Sequence, residues 1–176
     1  MKKLIAIIPA MMLIFVANTG MAQDDFGFDP GDYEVTMQGS GTSDDDLDNT
    51  TLSMEGSFGY FLTDLLEIGV RQGISYADIE GASDNFSGST RGFLDLHFDL
   101  TRFQPFIGIN LGYLYGDEVN ETAIGGLEAG LKYFFVPSTF LYGLAEYNFT
   151  FDSADEIDEA FDDGRFVYAL GLGYKW

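Results

Sequence analysis

The 176-residue chain predicts an all-β fold, an eight-stranded antiparallel up-and-down transmembrane β-barrel. Three observations carry that expectation. From Val167 onward, Tyr168, Leu170, Leu172, Tyr174 and Trp176 fall on one side of an extended strand, and Val167, Ala169, Gly171, Gly173 and Lys175 fall on the other. Successive side chains of a strand point to opposite faces, so one face is apolar and the other small or charged. The same period-two pattern recurs in seven further segments, each close to the ~9–11 residues that cross a bilayer as a tilted strand. The connections alternate between short and long, as in a barrel with one blunt end and one end of long loops.

Taken in order, the chain opens with Lys2 and Lys3, followed by Leu4 to Ala17, apolar and interrupted by Pro9. Gly20 and Ala22 then place small residues at the −3 and −1 positions of a cleavage site. Residues 1–22 are therefore expected to be a signal peptide, cleaved after Ala22 during export. The apolar run falls short of the ~20 residues a spanning helix needs. The sequence holds no Cys, which rules out a lipid anchor, a disulfide framework and a thiolate metal site. Residues 23–32 are expected to form a short leading segment, and 33–176 the barrel.

Composition agrees. The counts of 22 Gly and 4 Pro, with 16% aromatic residues, suit strands and tight packing. Beyond the leader no apolar stretch reaches the ~18 residues that signal a membrane helix. A membrane location then requires a closed barrel, because lipid leaves no unpaired backbone satisfied. Without Lys2 and Lys3, 6 basic side chains face 29 acidic ones, a net of −23. Such a charge excludes electrostatic binding of nucleic acid. A hydrophobic content of 46% argues against disorder.

The eight segments run Tyr33–Gly41, Thr51–Leu62, Leu66–Tyr76, Thr90–Leu100, Pro105–Tyr115, Ala123–Phe135, Thr139–Phe151 and Arg165–Trp176. Their second, fourth and sixth connections are short. The first, third, fifth and seventh (42–50, 77–89, 116–122 and 152–164) hold 17 of the 29 acidic residues and no Lys or Arg. Alternate connections of a meander lie at the same end, so one end is blunt and the other anionic.

Charge decides which face points outward. In the third segment Ile68, Val70, Ile74 and Tyr76 oppose Glu67, Gly69, Arg71, Gly73 and Ser75. In the fourth, Leu94, Leu96, Phe98 and Leu100 oppose Arg91, Phe93, Asp95, His97 and Asp99. The charged sets carry both signs and many small residues, which suits the narrow interior of eight strands. The apolar sets are too bulky for that interior. Glu67, Arg71, Arg91, Asp95, His97, Asp99, Glu128 and Lys132 are accordingly expected to form a polar network inside the lumen. A closure of the third and fourth strands near Tyr76 and Thr90 would set Arg71 opposite position 96, with an Arg71–Asp95 salt bridge.

This layout, with Tyr174, Lys175 and Trp176 at its end, resembles the small eight-stranded outer-membrane barrels: OmpX/Ail-like, OmpA-membrane-domain-like and OmpW-like proteins. In those proteins the terminal aromatic strand is read by the assembly machinery, and it more often ends in Phe. The resemblance implies that Tyr174 and Trp176 serve as such a signal. It implies a Gram-negative outer-membrane location, with residues 23–32 and the short turns periplasmic and the long loops at the cell surface. It implies a monomer in contact with membrane lipid and lipopolysaccharide. For function it implies a non-enzymatic structural or surface-interaction protein. The alternatives are a narrow porin-like channel for small solutes or hydrophobic molecules, and a lipid-modifying enzyme.

Little in the sequence supports catalysis. His97 is the sole His, and the text His97-Phe98-Asp99 lacks the His-x-Ser pair of barrel lipid deacylases. A His held in a polar lumenal network is the expectation, and no catalytic, cofactor or metal residue is assigned. The lumenal cations are expected to pair with carboxylates and plug the barrel, because a buried charge without a partner is costly. The runs Asp44–Asp48 and Asp155–Asp163 match no twelve-residue calcium loop. Weak binding of divalent cations there is the most that their oxygen-rich character suggests.

Overall fold

The computed structural model describes residues 26–43, 49–79, 85–116, 122–151 and 164–176. Eight strands appear in chain order: β1 (Tyr33–Ser43), β2 (Asn49–Phe61), β3 (Leu66–Ile79), β4 (Asn85–His97), β5 (Phe103–Gly116), β6 (Thr122–Val136), β7 (Thr139–Phe151) and β8 (Arg165–Lys175). Each pairs antiparallel with its neighbours and β8 returns to β1, which closes the barrel. This is the fold of a transmembrane β-barrel, and it follows from the alternation. Ile68, Val70, Ile107, Ile109 and Leu111 stand on the outside, while Glu67, Arg71, Arg91, Asp95 and Lys132 are buried inside.

The chain ends close the barrel at the short-turn end. Tyr33 N–H donates to the Trp176 carbonyl at 3.0 Å, and Trp176 N–H donates to Tyr33 O at 3.1 Å. The Trp176 ring stacks on Tyr33 at 5.8 Å and on Tyr174 at 5.9 Å, and Tyr60 lies 5.1 Å from Tyr33. These rings form the aromatic girdle expected where an apolar band meets water.

Two expectations are corrected. The β3–β4 register runs from Leu66↔Leu96 to Ala77↔Asn85, so Arg71 faces Arg91 and not position 96. Residues directly opposite in a ladder point to the same face. Inward Arg71 therefore cannot oppose outward Leu96; it must oppose an inward residue of β4. The strands also extend further than expected, to Ile79 and from Asn85, so the connection between them is shorter. No Arg71–Asp95 salt bridge forms among the described ion pairs.

Asp99 is the second correction. β4 stops at His97, and Asp99 lies exposed in the following turn rather than in the lumen. Its Oδ1 accepts from Thr101 N–H at 2.7 Å and from Gln104 Nε2 at 2.8 Å. Thr101 sits at φ 68°, a left-handed conformation that this tight turn imposes on a non-glycine residue. The carboxylate caps the turn by satisfying its backbone.

Candidate functional site: the filled lumen

Side chains from all parts of the wall meet inside the barrel in two layers. The middle layer is built on two arginines from β3 and β4. Arg71 Nη1 and Nη2 donate to both oxygens of Glu128 at 2.9 and 3.0 Å, a bidentate pair. Arg91 pairs with Glu146 and Glu55. Asn110 Nδ2 stitches the two halves together, donating to Glu128 and Glu146 at 2.7 Å each. The Arg71 guanidinium also lies 4.9 Å from the centre of the Phe93 ring.

Nearer the short-turn end, Lys132 of β6 reaches across to β1. Its Nζ donates to Glu34 at 2.7 and 2.6 Å and to Glu67 at 3.2 Å. Four rings surround the same ammonium: Phe28 at 5.0 Å, Phe140 at 5.3 Å, Phe106 at 5.4 Å and Phe61 at 5.8 Å. A cation over aromatic faces is attracted by the ring quadrupole, most strongly where water is excluded. Glu34, Glu67 and Lys132 are all buried.

His97 belongs to this layer. Its Nε2 lies 2.8 Å from Glu67 Oε2, and its ring packs among Phe28, Phe61 and Phe106 at 5.1–5.4 Å. It is fully enclosed. Among the described residues, Glu67, Asp95 and His97 bring donor atoms within 4.8 Å of one another. The Lys132 ammonium already supplies positive charge at Glu67. Asp95 Oδ1 lies against Gly108, where a Cβ would overlap it, so the close approach of this carboxylate requires the glycine.

Of the residues the sequence nominated, Glu67, Arg71, Arg91, Asp95, His97, Glu128 and Lys132 are buried in the lumen; Asp99 is not. Tyr174 and Trp176 stand in the girdle at the chain-end closure.

The unforeseen element is Phe28. It precedes β1, is buried, and stacks flat on Phe61 with centroids 3.9 Å apart and planes within 8°. Gly31 N–H donates to Phe61 O at 2.9 Å, and the Lys175 ammonium donates to the Gly27 carbonyl. Residues 26–32 thus cover the short-turn mouth. Phe106, Phe134 and Phe140 were legible as inward positions by parity. Phe28 lies outside any strand, so alternation says nothing of it.

No family model matches this chain, and no curated protein matches it. Among solved structures, it is similar to the outer membrane protein OprG from Pseudomonas aeruginosa (TM-score 0.58, 12% identity, covering 87% of this chain and 99% of that one). It is similar to the N-terminal β-barrel domain of Pseudomonas aeruginosa OprF (TM-score 0.57, 18% identity, covering 84% and 98%). It is also similar to Neisserial surface protein A (TM-score 0.53, 14% identity, covering 82% and 94%). At these identities the likeness is one of fold: the chain has the architecture of small eight-stranded outer-membrane β-barrels.

Proposed function

We propose that this protein is a bacterial outer-membrane barrel with a plugged lumen, acting through its acidic long-connection end as a non-enzymatic surface or interaction protein. The observation that carries this reading is the filled interior. Two charged layers cross the lumen, and Phe28 covers the short-turn mouth with its ring on Phe61. Eight strands enclose an interior narrow enough for these layers to span it, although a cavity of about 1100 Å³ remains above the arginine layer, toward the long connections. The location draws support from the outward apolar band, the aromatic girdle and the likeness to outer-membrane folds. A non-enzymatic role draws support from His97, which is enclosed by rings and bonded to Glu67. The partners in this reading are membrane lipid, lipopolysaccharide and the assembly machinery that reads Tyr174 and Trp176. Weak divalent-cation contacts at the acidic connections belong to it too; 44–48 and 152–163 lie outside the described residues.

Fractionation tests it. Mature protein should appear in the outer-membrane fraction and migrate differently on gels before and after boiling. Protease added to intact cells should cut within the long connections and spare the short turns. Recovery from the soluble periplasm, or cleavage at the short turns, overturns the reading.

A further inference from the structure

The outer wall carries a polar cluster inside its apolar band. On β3, Ile68, Val70 and Ile74 are exposed on the outward face, and Gln72 stands between the last two on the same face. Thr90 of β4 lies directly opposite Gln72, and the Tyr115 hydroxyl of β5 reaches both. Gln72 and Thr90 are exposed. Toward the short turns this face of β4 continues as Leu94 and Leu96; toward the other end, Phe86 faces Tyr76. The cluster therefore lies where hydrocarbon is expected. A polar group held there is costly unless it is hydrogen-bonded, and such groups mark functional positions.

The three side chains form a ring that uses up their donors. Gln72 Nε2 donates to the Tyr115 hydroxyl at 2.8 Å and to the Gly73 carbonyl at 2.9 Å, which commits both protons of its amide. Thr90 Oγ1 donates to Gln72 Oε1 at 2.7 Å. With that proton committed, Tyr115 is the donor in its 3.3 Å contact with Thr90 Oγ1. What remains is acceptor capacity, on Gln72 Oε1 and the two hydroxyl oxygens. A ligand for this ring must therefore bring a proton. The ester carbonyls of an ordinary glycerolipid are acceptors and cannot supply one; a hydroxyl can.

Beside the ring the wall is thin. Gly92 follows Thr90 on the outward face of β4, between Val70 of β3 and Leu111 of β5. A Cβ added there would meet nothing closer than 3.9 Å, the backbone carbonyls of Gly69 and Leu111. Val70 and Leu111 stand 58% and 64% exposed on either side, and Leu94 closes the trough toward the short turns. At the other end the Tyr115 ring covers Gly88, where a Cβ would lie 2.6 Å from it. Neighbouring strands lie about 4.7–4.9 Å to either side of β4, a width that admits one alkyl chain.

We propose that this trough binds a membrane lipid whose acyl chain carries a hydroxyl close to its head group. The chain lies over Gly92 between Val70 and Leu111, and its hydroxyl donates to the ring of Gln72, Thr90 and Tyr115. The polar ring stands at the end of the trough away from the short turns, so the head group lies toward the opposite end of the barrel. This assignment rests on the outer-membrane reading and names the lipid chemistry that such a barrel would hold. The face lies in hydrocarbon in every copy of the barrel, so lipid is what covers it. Complementary hydrogen bonding then selects among lipids.

The test is an amide NMR titration of the full barrel in phosphatidylcholine nanodiscs, whose bulk lipid brings no proton donor. The discs are doped with methyl 3-hydroxytetradecanoate or, separately, methyl tetradecanoate, which differ by the hydroxyl alone. The hydroxy ester should shift the Thr90 and Gly92 amides saturably, at least about fivefold more tightly than the plain ester, a preference of about 1 kcal/mol. The Ala129 amide, on another side of the wall, should stay unmoved. Gln72→Leu should bring the two esters to equal affinity. Gly92→Leu, which fills the trough, should abolish saturation with both. The boiling gel-shift test checks that each variant folds, and either folded variant decides. Equal affinity for the two esters in the parent, a preference that survives Gln72→Leu, or saturation that survives Gly92→Leu would each overturn the proposal. So would barrels that pair through this face and exclude the ester, which would assign it to a second copy. A nanodisc offers the same lipid to both ends of the barrel, so this result is independent of cellular location, which fractionation tests separately.

Discussion

Lys132 on β6 and Glu34 on β1 meet across the barrel, the ammonium donating to both carboxylate oxygens at 2.7 and 2.6 Å. The two residues are 98 positions apart in the chain, and only closure of the sheet joins them. Glu67 and four phenylalanine rings complete the shell around the ammonium. The pair therefore reports on the integrity of the whole lumen.

Lys132→Met should destabilise the barrel strongly, because it leaves Glu34 and Glu67 buried without their cation. Breaking a buried pair from one side costs about 3–5 kcal/mol. Lys132→Met combined with Glu34→Gln should recover part of that loss. Urea unfolding in lipid vesicles, followed by Trp176 fluorescence, measures both. A single variant as stable as the parent contradicts the burial of this pair.

Arg71 and Glu128 should couple strongly in a double-mutant cycle. Their bidentate bond is buried, and residues in direct contact within one network show interaction energies of about 0.5–3 kcal/mol. Arg71→Gln and Glu128→Gln, alone and together, supply the cycle. Additive losses would mean that each side chain is satisfied independently.

His97→Ala should lower stability by about 2–4 kcal/mol, by leaving a cavity among Phe28, Phe61 and Phe106 and a lost bond to Glu67. Membrane lipid composition should not change. A lipid profile altered by this substitution, in cells carrying equal amounts of folded barrel, would assign His97 a chemical role.

Millimolar Ca²⁺ should bind weakly at the acidic sequence Asp155–Asp163, as carboxylate-rich extracellular segments do. Calorimetry against matched NaCl checks this. Identical heats in the two salts leave those residues as solvated charge.

Strand number and the inward and outward faces were legible, because lipid forbids charge on one face and a narrow lumen forbids bulk on the other. The short-long alternation was overdrawn: the strands run on up to 44–48, 80–84 and 117–121, which leaves each of these connections five residues, as many as 98–102, and only 152–164 is long. Ile68 and Glu67 could each be assigned from their neighbours alone. The β3–β4 register was not legible. The stretch from Ala77 to Ser89 is mostly small and polar, so alternation does not show where pairing stops, although the face rule would have excluded Arg71 opposite Leu96. Asp99 was misplaced because it continues the parity of β4 past the strand's end into a turn. Phe28 was missed because its place depends on what the closed barrel leaves open, namely the flat face of Phe61. The partners of Arg91 and Lys132 lay out of reach for a similar reason. Pairing across a lumen follows shear and side-chain length, which a linear pattern does not carry.

The central claim is a filled lumen, and single-barrel conductance in planar bilayers tests it most directly. The refolded protein should insert without discrete conductance steps in ~1 M KCl, where the Debye length falls to ~3 Å and surface charge cannot hide a pore. Phe28→Ala together with Lys132→Ala should introduce brief openings, since both contribute to the closure of the short-turn mouth. Steady, reproducible steps from the unaltered barrel would contradict the account and assign the lumen to a channel.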